Sequence, residues 1–188
     1  MARATTAVEP PAGLVLRDEV VPPGEERDLL DVFEALEMHE IRMHGQAARR
    51  TARHYGLSYD YGAREPRPGE PMPEWLLPLR ERCAGLAGLA ADDLVEALVQ
   101  RYPAGATIGW HRDAPAFGVV VGVSLGSACR MRFRRGGAGA REVHEIWLEP
   151  RSAYVLAGAA RWSWQHSIPP TPAERWSVTF RSLRRPRG

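Results

Sequence analysis

The spacing of apolar residues changes part-way along the chain. Between Glu25 and Glu40 they fall at Leu29, Leu30, Val32, Phe33 and Leu36, the three-and-four spacing of a helix with one buried stripe. Glu25 and Glu26 sit in its first turn, where the helix dipole favours acids. A second helix is predicted from Glu74 to Ala87, opening after Pro73. Between the two, residues 45–73 hold no sustained period of either kind; "RRTARHYGLSYDYG" and "AREPRPGEPMP" read as a long excursion with one hairpin. From Leu94 onward the apolar runs are short, alternating or continuous, and punctuated by Gly and Pro: "LVEALVQRY", "FGVVVGVSLG", "CRMRFR", "VHEIWLE", "SAYVLAG" and "RWSVTFRSL". These are predicted strands. In "CRMRFR", period two puts Cys129, Met131 and Phe133 on one face and Arg130, Arg132 and Arg134 on the other. So many strands without intervening helices point to a sandwich or jelly roll in the second half. Residues 1–23, broken by Pro10, Pro11, Pro22 and Pro23, read as an extended segment ahead of one domain over 24–188.

Composition narrows the class. The 188 residues are 44% hydrophobic and 26% charged, enough for one domain with its own core. No apolar run approaches the roughly 20 residues of a membrane-spanning helix, and Met1–Gly13 lacks the apolar stretch of a secretion signal. A cytoplasmic, monomeric protein with no membrane association and no obligate protein partner is expected. Cys83 and Cys129 have no metal-ligand spacing and are expected as small buried hydrophobes. All 25 basic residues are Arg, and the absence of Lys and Asn removes Schiff-base and P-loop lysine chemistry. The first 40 residues hold ten acids against three arginines, so the positive excess lies in the rest of the chain, which can attract an anion.

The candidate chemistry begins at His111-Arg112-Asp113. On a strand, residues i and i+2 point the same way, so this imidazole and carboxylate can converge on one cation. His166, in "RWSWQHSIPP", can supply a third ligand from another strand. Two His and one carboxylate on one face of a metal are the ligand set of non-heme Fe(II) oxygenases; a three-ligand zinc hydrolase uses a similar set and stays open at this point. The triplet also spells the protein-kinase catalytic motif, but no lysine, no Asp-Phe-Gly and no glycine-rich loop accompany it. In "RWSVTFR", Arg175, Ser177, Thr179 and Arg181 share one strand face, and the two guanidiniums can close on opposite ends of a short dicarboxylate, or one can hold it while the other braces the site.

Together, Arg101-Tyr102-Pro-Ala-Gly105, His111-x-Asp113, "SLGS", the Gly-x-x-Arg approach to His166 and the closing Arg175-x5-Arg181 resemble the AlkB family of Fe(II)/2-oxoglutarate-dependent dioxygenases across roughly residues 94–183. The resemblance implies an α+β fold with a double-stranded β-helix (jelly-roll) core, N-terminal helices and a substrate lid over residues 45–73. It implies Fe(II) held by His111, Asp113 and His166, with 2-oxoglutarate and O2 as cosubstrates. It implies 2-oxoglutarate contacts from Tyr102, Arg175 and Arg181, with Gln100 and Ser177 standing where family members often have Asn. The implied partner is alkylated single-stranded DNA or RNA, including tRNA, and the implied reaction is oxidative demethylation. Arg53, Tyr55, Tyr59 and Tyr61 fall in the lid region and are candidate substrate contacts, and Arg49 and Arg50, beside Arg53, can likewise meet phosphates. Several base-repair members carry a second carboxylate two residues past the metal Asp, where this chain has Pro115. A 2-oxoglutarate hydroxylase of a protein or small molecule, or a non-enzymatic metal-containing jelly-roll binding module, are the alternatives.

Overall fold

The computed structural model describes residues 9–43, 46–60, 65–136 and 142–184. In chain order the elements are β1 (Leu14–Arg17), α1 (Pro23–Glu34), β2 (His39–Met43), β3 (Gln46–Asp60), β4 (Glu65–Pro68), α2 (Leu77–Ala87), β5 (Leu94–Tyr102), β6 (Ile108–His111), β7 (Phe117–Leu125), β8 (Cys129–Arg135), β9 (Glu142–Leu148), β10 (Ala153–Leu156), α3 (Gly158–Trp162), β11 (Gln165–Ile168) and β12 (Arg175–Leu183). They form two antiparallel sheets. The larger runs β1-β10-β7-β12-β5-β3-β2, with β4 paired to β3; the smaller runs β6-β11-β8-β9. This is the jelly-roll core expected from the second half of the chain.

Two apolar clusters hold the layers together. One joins α1 and α2 to the larger sheet: Leu29 and Phe33, one helical turn apart, meet Leu79 and Cys83 of α2 and Trp176, Val178 and Phe180 of β12. Each such fully buried side chain contributes about 1.5–3 kcal/mol of transfer free energy. The second cluster includes Met131 and Phe133 from the smaller sheet and Val120, Tyr154 and Leu156 from the larger. Cys129, Met131 and Phe133 are all buried, as the alternation in β8 requires, and both cysteines are buried and free. Helix α2 starts with Pro78 in its first turn, where a missing N–H costs nothing. It ends at Gly88, whose left-handed φ of 66° lets its N–H cap the last carbonyls. No described helix is long and apolar enough to cross a membrane.

The N-terminal half departs from expectation in three places. The first helix ends at Glu34, and His39–Met43 is a strand paired with β3; beyond Leu36 the period has changed from three-and-four to two. The lead-in contains strand β1, which pairs with β10 at a sheet edge. The supposed lid is largely sheet: β3 is a 15-residue strand hydrogen-bonded to β5 from Thr51 opposite Arg101 to Gly56 opposite Glu96, and it then forms the expected hairpin with β4. Its period is hard to read because polar side chains line both faces and because the strand kinks. Gly56 has φ of +75°, and a Cβ there would lie 2.2 Å from the Val95 carbonyl oxygen. Only glycine fits this close approach.

Candidate metal centre and substrate cavity

Strands β6 and β11 bring the two histidines together. His166 and His111 are direct cross-strand partners, with ring centroids 4.2 Å apart. Asp113, two residues past β6, turns its Oδ2 to within 3.5 Å of His166 Nε2. One ligand atom from each of the three residues lies within 4.8 Å of the other two. The proton inventory suits a cation. The Gly109 carbonyl can only accept, so at 2.9 Å it takes the His111 Nδ1 proton and leaves Nε2 with its lone pair. Burial depresses both imidazoles, His166 to about 3, so they stand neutral. Burial pushes the Asp113 carboxyl up, but Arg181, His166 and His111 overcome it and hold the group well below the usual carboxylate range. Its Oδ2 is buried with no hydrogen-bond partner. Two neutral imidazoles and an orphaned carboxylate oxygen fit a divalent metal such as Fe(II).

The triad lines a cavity of about 540 Å³ between the sheets. Gln100 and Tyr102 from β5 and Thr179 and Arg181 from β12 also face it, because alternate residues of neighbouring strands share a side. The two arginines of "RWSVTFR" differ sharply in what they touch. Arg181 is already committed: Nη1 lies 2.7 Å from Glu96 Oε2, Nη2 lies 2.7 Å from Asp113 Oδ1, and Nε donates to the same Oδ1 at 2.9 Å. Arg175 is 1% exposed, donates from Nε to Ser124 Oγ at 2.9 Å, and leaves a buried Nη1 unpaired. Its guanidinium carbon lies 5.1 Å from the centre of the Tyr102 ring. Two arms closing symmetrically on one dicarboxylate are therefore not what the structure contains. Arg175 offers an open buried donor, while Arg181 bridges two carboxylates. Neither Arg175 nor Ser177 lines the cavity surface; both lie buried behind it.

The substrate candidates divide likewise. Tyr59 lines the cavity, its ring centre 6.4 Å from that of Phe117. Arg53 and Tyr55 do not: Arg53 forks onto Glu70 at 2.6 and 2.8 Å, and Tyr55 is buried against Trp75 in the helix-facing core. Arg50 and His54 line the cavity instead. Strand alternation gives the reason, since Arg50 and His54 share one side of β3 while Arg53 and Tyr55 take the other; after the kink at Gly56 the phase reverses and brings Tyr59 round. Tyr61 lies outside the described residues.

Two residues have roles that the motifs did not assign. Glu96 is a buried carboxylate inside an otherwise apolar strand "LVEALV", and that charge in an apolar run was the available signal. Arg161 is buried in α3 and spreads its guanidinium over the loop after the metal Asp. Nε donates to Gly118 O, and Nη2 donates to Ala114 O and Phe117 O, each at 2.8 Å. It is the Arg of the Gly-x-x-Arg motif, whose spacing marked it without revealing its task.

Comparison with known proteins decides the family. Residues 30–184 match the 2OG-Fe(II) oxygenase superfamily. The chain belongs to that superfamily. It is an Fe(II)/2-oxoglutarate-dependent dioxygenase, using Fe(II), 2-oxoglutarate and O2, and it is similar in sequence to an AlkB homologue. This sets aside the zinc-hydrolase and non-enzymatic binding-module readings. It is similar to the "Alkylated DNA repair protein ALKBH8 homolog" of Arabidopsis thaliana, with 32% identity over 185 positions, covering 84% of this chain and 51% of that protein. It is also similar to "Uncharacterized protein L905" of Acanthamoeba polyphaga mimivirus, with 33% identity over 99 residues, covering 46% of this chain and 47% of that one. The chain spans about half the length of these curated relatives. Among solved structures, OsALKBH1 matches with a TM-score of 0.67 at 14% identity, covering 94% of this chain and all of that one. A Pseudomonas putida prolyl-4-hydroxylase matches at 0.62 and 16%, covering 92% and 93%. At these identities the two structures speak for the fold alone.

Proposed function

We propose that this dioxygenase oxidatively removes N-methyl groups from nucleobases in single-stranded DNA or RNA. The observation that carries the reading is the wall of the cavity beside the triad. Tyr59 and Phe117 set aromatic surfaces against hydrogen-bonding groups of His54 and Arg50, in a volume within the range of small-molecule sites. A planar base turned out of its stack needs such a combination of ring contact and edge recognition. The Arabidopsis relative described as an alkylated DNA repair protein supports the same substrate class.

In this reading His111, Asp113 and His166 hold Fe(II), and Arg175 and Tyr102 take the far carboxylate of 2-oxoglutarate, with Gln100 and Ser177 beside them. The bound metal and cosubstrate supply the oxidation, in which one atom of O2 enters succinate as CO2 leaves and the other reaches the methyl carbon. The resulting hydroxymethyl amine releases formaldehyde and restores the unmodified nitrogen. Arg181 keeps Asp113 ionised and fixed in direction, and Arg161 fixes the loop that carries it.

The test is incubation of the protein with Fe(II), 2-oxoglutarate and O2, using single-stranded oligonucleotides that each carry one N-methylated base. The expected result is formaldehyde release and loss of one methyl mass from the oligonucleotide, in step with succinate. Succinate formation stimulated by a peptide or small molecule, with every methylated oligonucleotide unchanged, overturns the reading.

A further inference from the structure

His54 and Glu96 form a pair in the cavity that the steps above do not use. Glu96, 1% exposed, takes Arg181 Nη1 on Oε2 at 2.7 Å and meets His54 Nδ1 with Oε1 at 3.3 Å. Burial raises the Glu96 carboxyl, but Arg181 and His54 outweigh it and leave the group below its ordinary value. An ionised carboxylate only accepts hydrogen bonds. The proton between the two must therefore sit on His54 Nδ1, and in the neutral ring Nε2 keeps its lone pair. Among the described residues none bonds Nε2. The side chain is 47% exposed and faces the cavity. A buried carboxylate thus fixes the tautomer of a histidine whose other nitrogen is open to whatever enters.

The neighbouring polar groups differ from that nitrogen in kind. Arg50 and Arg112, also on the cavity wall, can only donate, and the hydroxyls of Tyr59, Tyr154 and Thr179 and the amide of Gln100 can donate as well as accept, whereas His54 Nε2 in this tautomer can only accept. We propose that His54, its tautomer set by Glu96, is a specificity-determining residue that accepts a hydrogen bond from an N–H on the edge of the substrate base. The inference rests on the nucleobase reading and goes beyond it. The cavity favours a base that presents an amino group beside its methylated nitrogen over one that presents a carbonyl there, because a carbonyl oxygen facing the Nε2 lone pair gains nothing and loses its water.

The experiment compares two short single-stranded oligonucleotides, one carrying 3-methylcytosine and the other 3-methyluracil, which differ at the recognised edge by an amino group against a carbonyl. Demethylation is followed by mass. The wild-type protein is expected to show kcat/KM at least tenfold higher on the first. His54→Phe, which keeps a ring without nitrogen, is expected to lose at least tenfold on 3-methylcytosine and to collapse the ratio between the two substrates towards one. His54→Gln, which restores an acceptor oxygen, is expected to recover most of the preference. Equal wild-type rates, a wild-type preference for 3-methyluracil, or an unchanged ratio in His54→Phe overturns the proposal and leaves the demethylase reading standing. If neither variant folds, the wild-type ratio decides. No demethylation of either oligonucleotide, with succinate still formed, overturns the proposal, and the demethylase reading falls with it when the wider set of N-methylated oligonucleotides is unchanged as well.

Discussion

His111 and His166 face each other directly across an antiparallel strand pair, and both imidazoles are pushed towards the neutral form by burial. Protonating either ring in the metal-free protein places charge in a desolvated site beside a second imidazole. For His166 the folded value is about 3 against 6.5 when unfolded. Between those values the unfolded chain binds the proton and the folded chain does not, so stability falls as pH drops from about 6.5 towards 3. Metal-stripped protein is expected to lose Tm across that window, and His166→Gln to flatten the loss. Asp113 acts lower: its depressed value contributes stability above the unfolded 3.8 that disappears as pH falls further. A scanning fluorimetry series from pH 7.5 to 3.5 checks the first effect, and equal slopes in both proteins contradict it.

Arg181 separates two buried carboxylates, Glu96 and Asp113, at 2.7 Å from each. Removing it with Arg181→Met leaves both acids desolvated without their counter-charge, a change that costs about 3–5 kcal/mol in comparable buried pairs. Adding Glu96→Gln to that variant removes one of the stranded charges and is expected to restore part of the loss, because the sites are in contact and not additive. Mn(II) should raise the Tm of Arg181→Met more than that of the wild type, since a dication at the triad replaces the missing positive charge. Urea unfolding of the four proteins in this cycle reads the coupling; strict additivity would place Glu96 outside the network.

The β-rich second half was legible because its strands follow simple alternation, as Cys129, Met131 and Phe133 show by being buried together. The triad was legible from residue type and order, and the register of β6 with β11 is what converts that order into proximity. The first half was harder for a physical reason. Strand β3 carries polar side chains on both faces, Arg50 and His54 to the cavity and Arg53 to Glu70, so no apolar period marks it. Its kink at Gly56 then reverses which residues face in, and a reading by tyrosines alone selects Tyr55, which belongs to the core. Glu96 needed the fold: only the pairing of β5 with β12, which places Arg181 opposite Glu96, shows why an acid can stand in an apolar strand.

Arg161 ties the loop after Asp113 to the start of β7, donating to the Ala114 carbonyl in the loop and to the Phe117 and Gly118 carbonyls of β7, each at 2.8 Å. Charge-assisted hydrogen bonds of this kind contribute about 1.5–3 kcal/mol each before their coupling is considered. Arg161→Lys keeps the charge but cannot present the planar fork to carbonyls in three directions. It is expected to destabilise the protein by roughly 2 kcal/mol, the lower part of that range, and to weaken metal binding because Asp113 begins the released loop. Calorimetric titration with Mn(II) checks the second effect; unchanged metal affinity in a folded Arg161→Lys protein would show that Asp113 is positioned by Arg181 alone.

Arg175 has the opposite character from Arg181, with a buried Nη1 that has no hydrogen-bond partner. Leaving a buried donor of a charged group unpaired costs more than a neutral one, and a ligand carboxylate reaching behind the cavity wall beside Tyr102 would satisfy it. With Arg175 in the proposed role of holding the far carboxylate of 2-oxoglutarate, Arg175→Met removes its counter-charge, and the KM for 2-oxoglutarate is expected to rise about 10- to 100-fold, the range set by one charge-assisted hydrogen bond of about 1.5–3 kcal/mol. Arg175→Lys should fall between, because the ammonium keeps the charge without the bidentate geometry. The same effect is visible without turnover: 2-oxoglutarate raises the wild-type Tm by mass action, and at equal concentration it should raise that of Arg175→Met much less. If Tm shifts and KM match the wild type in a folded variant, the unpaired nitrogen serves packing against Tyr102 and the cosubstrate carboxylate is held elsewhere.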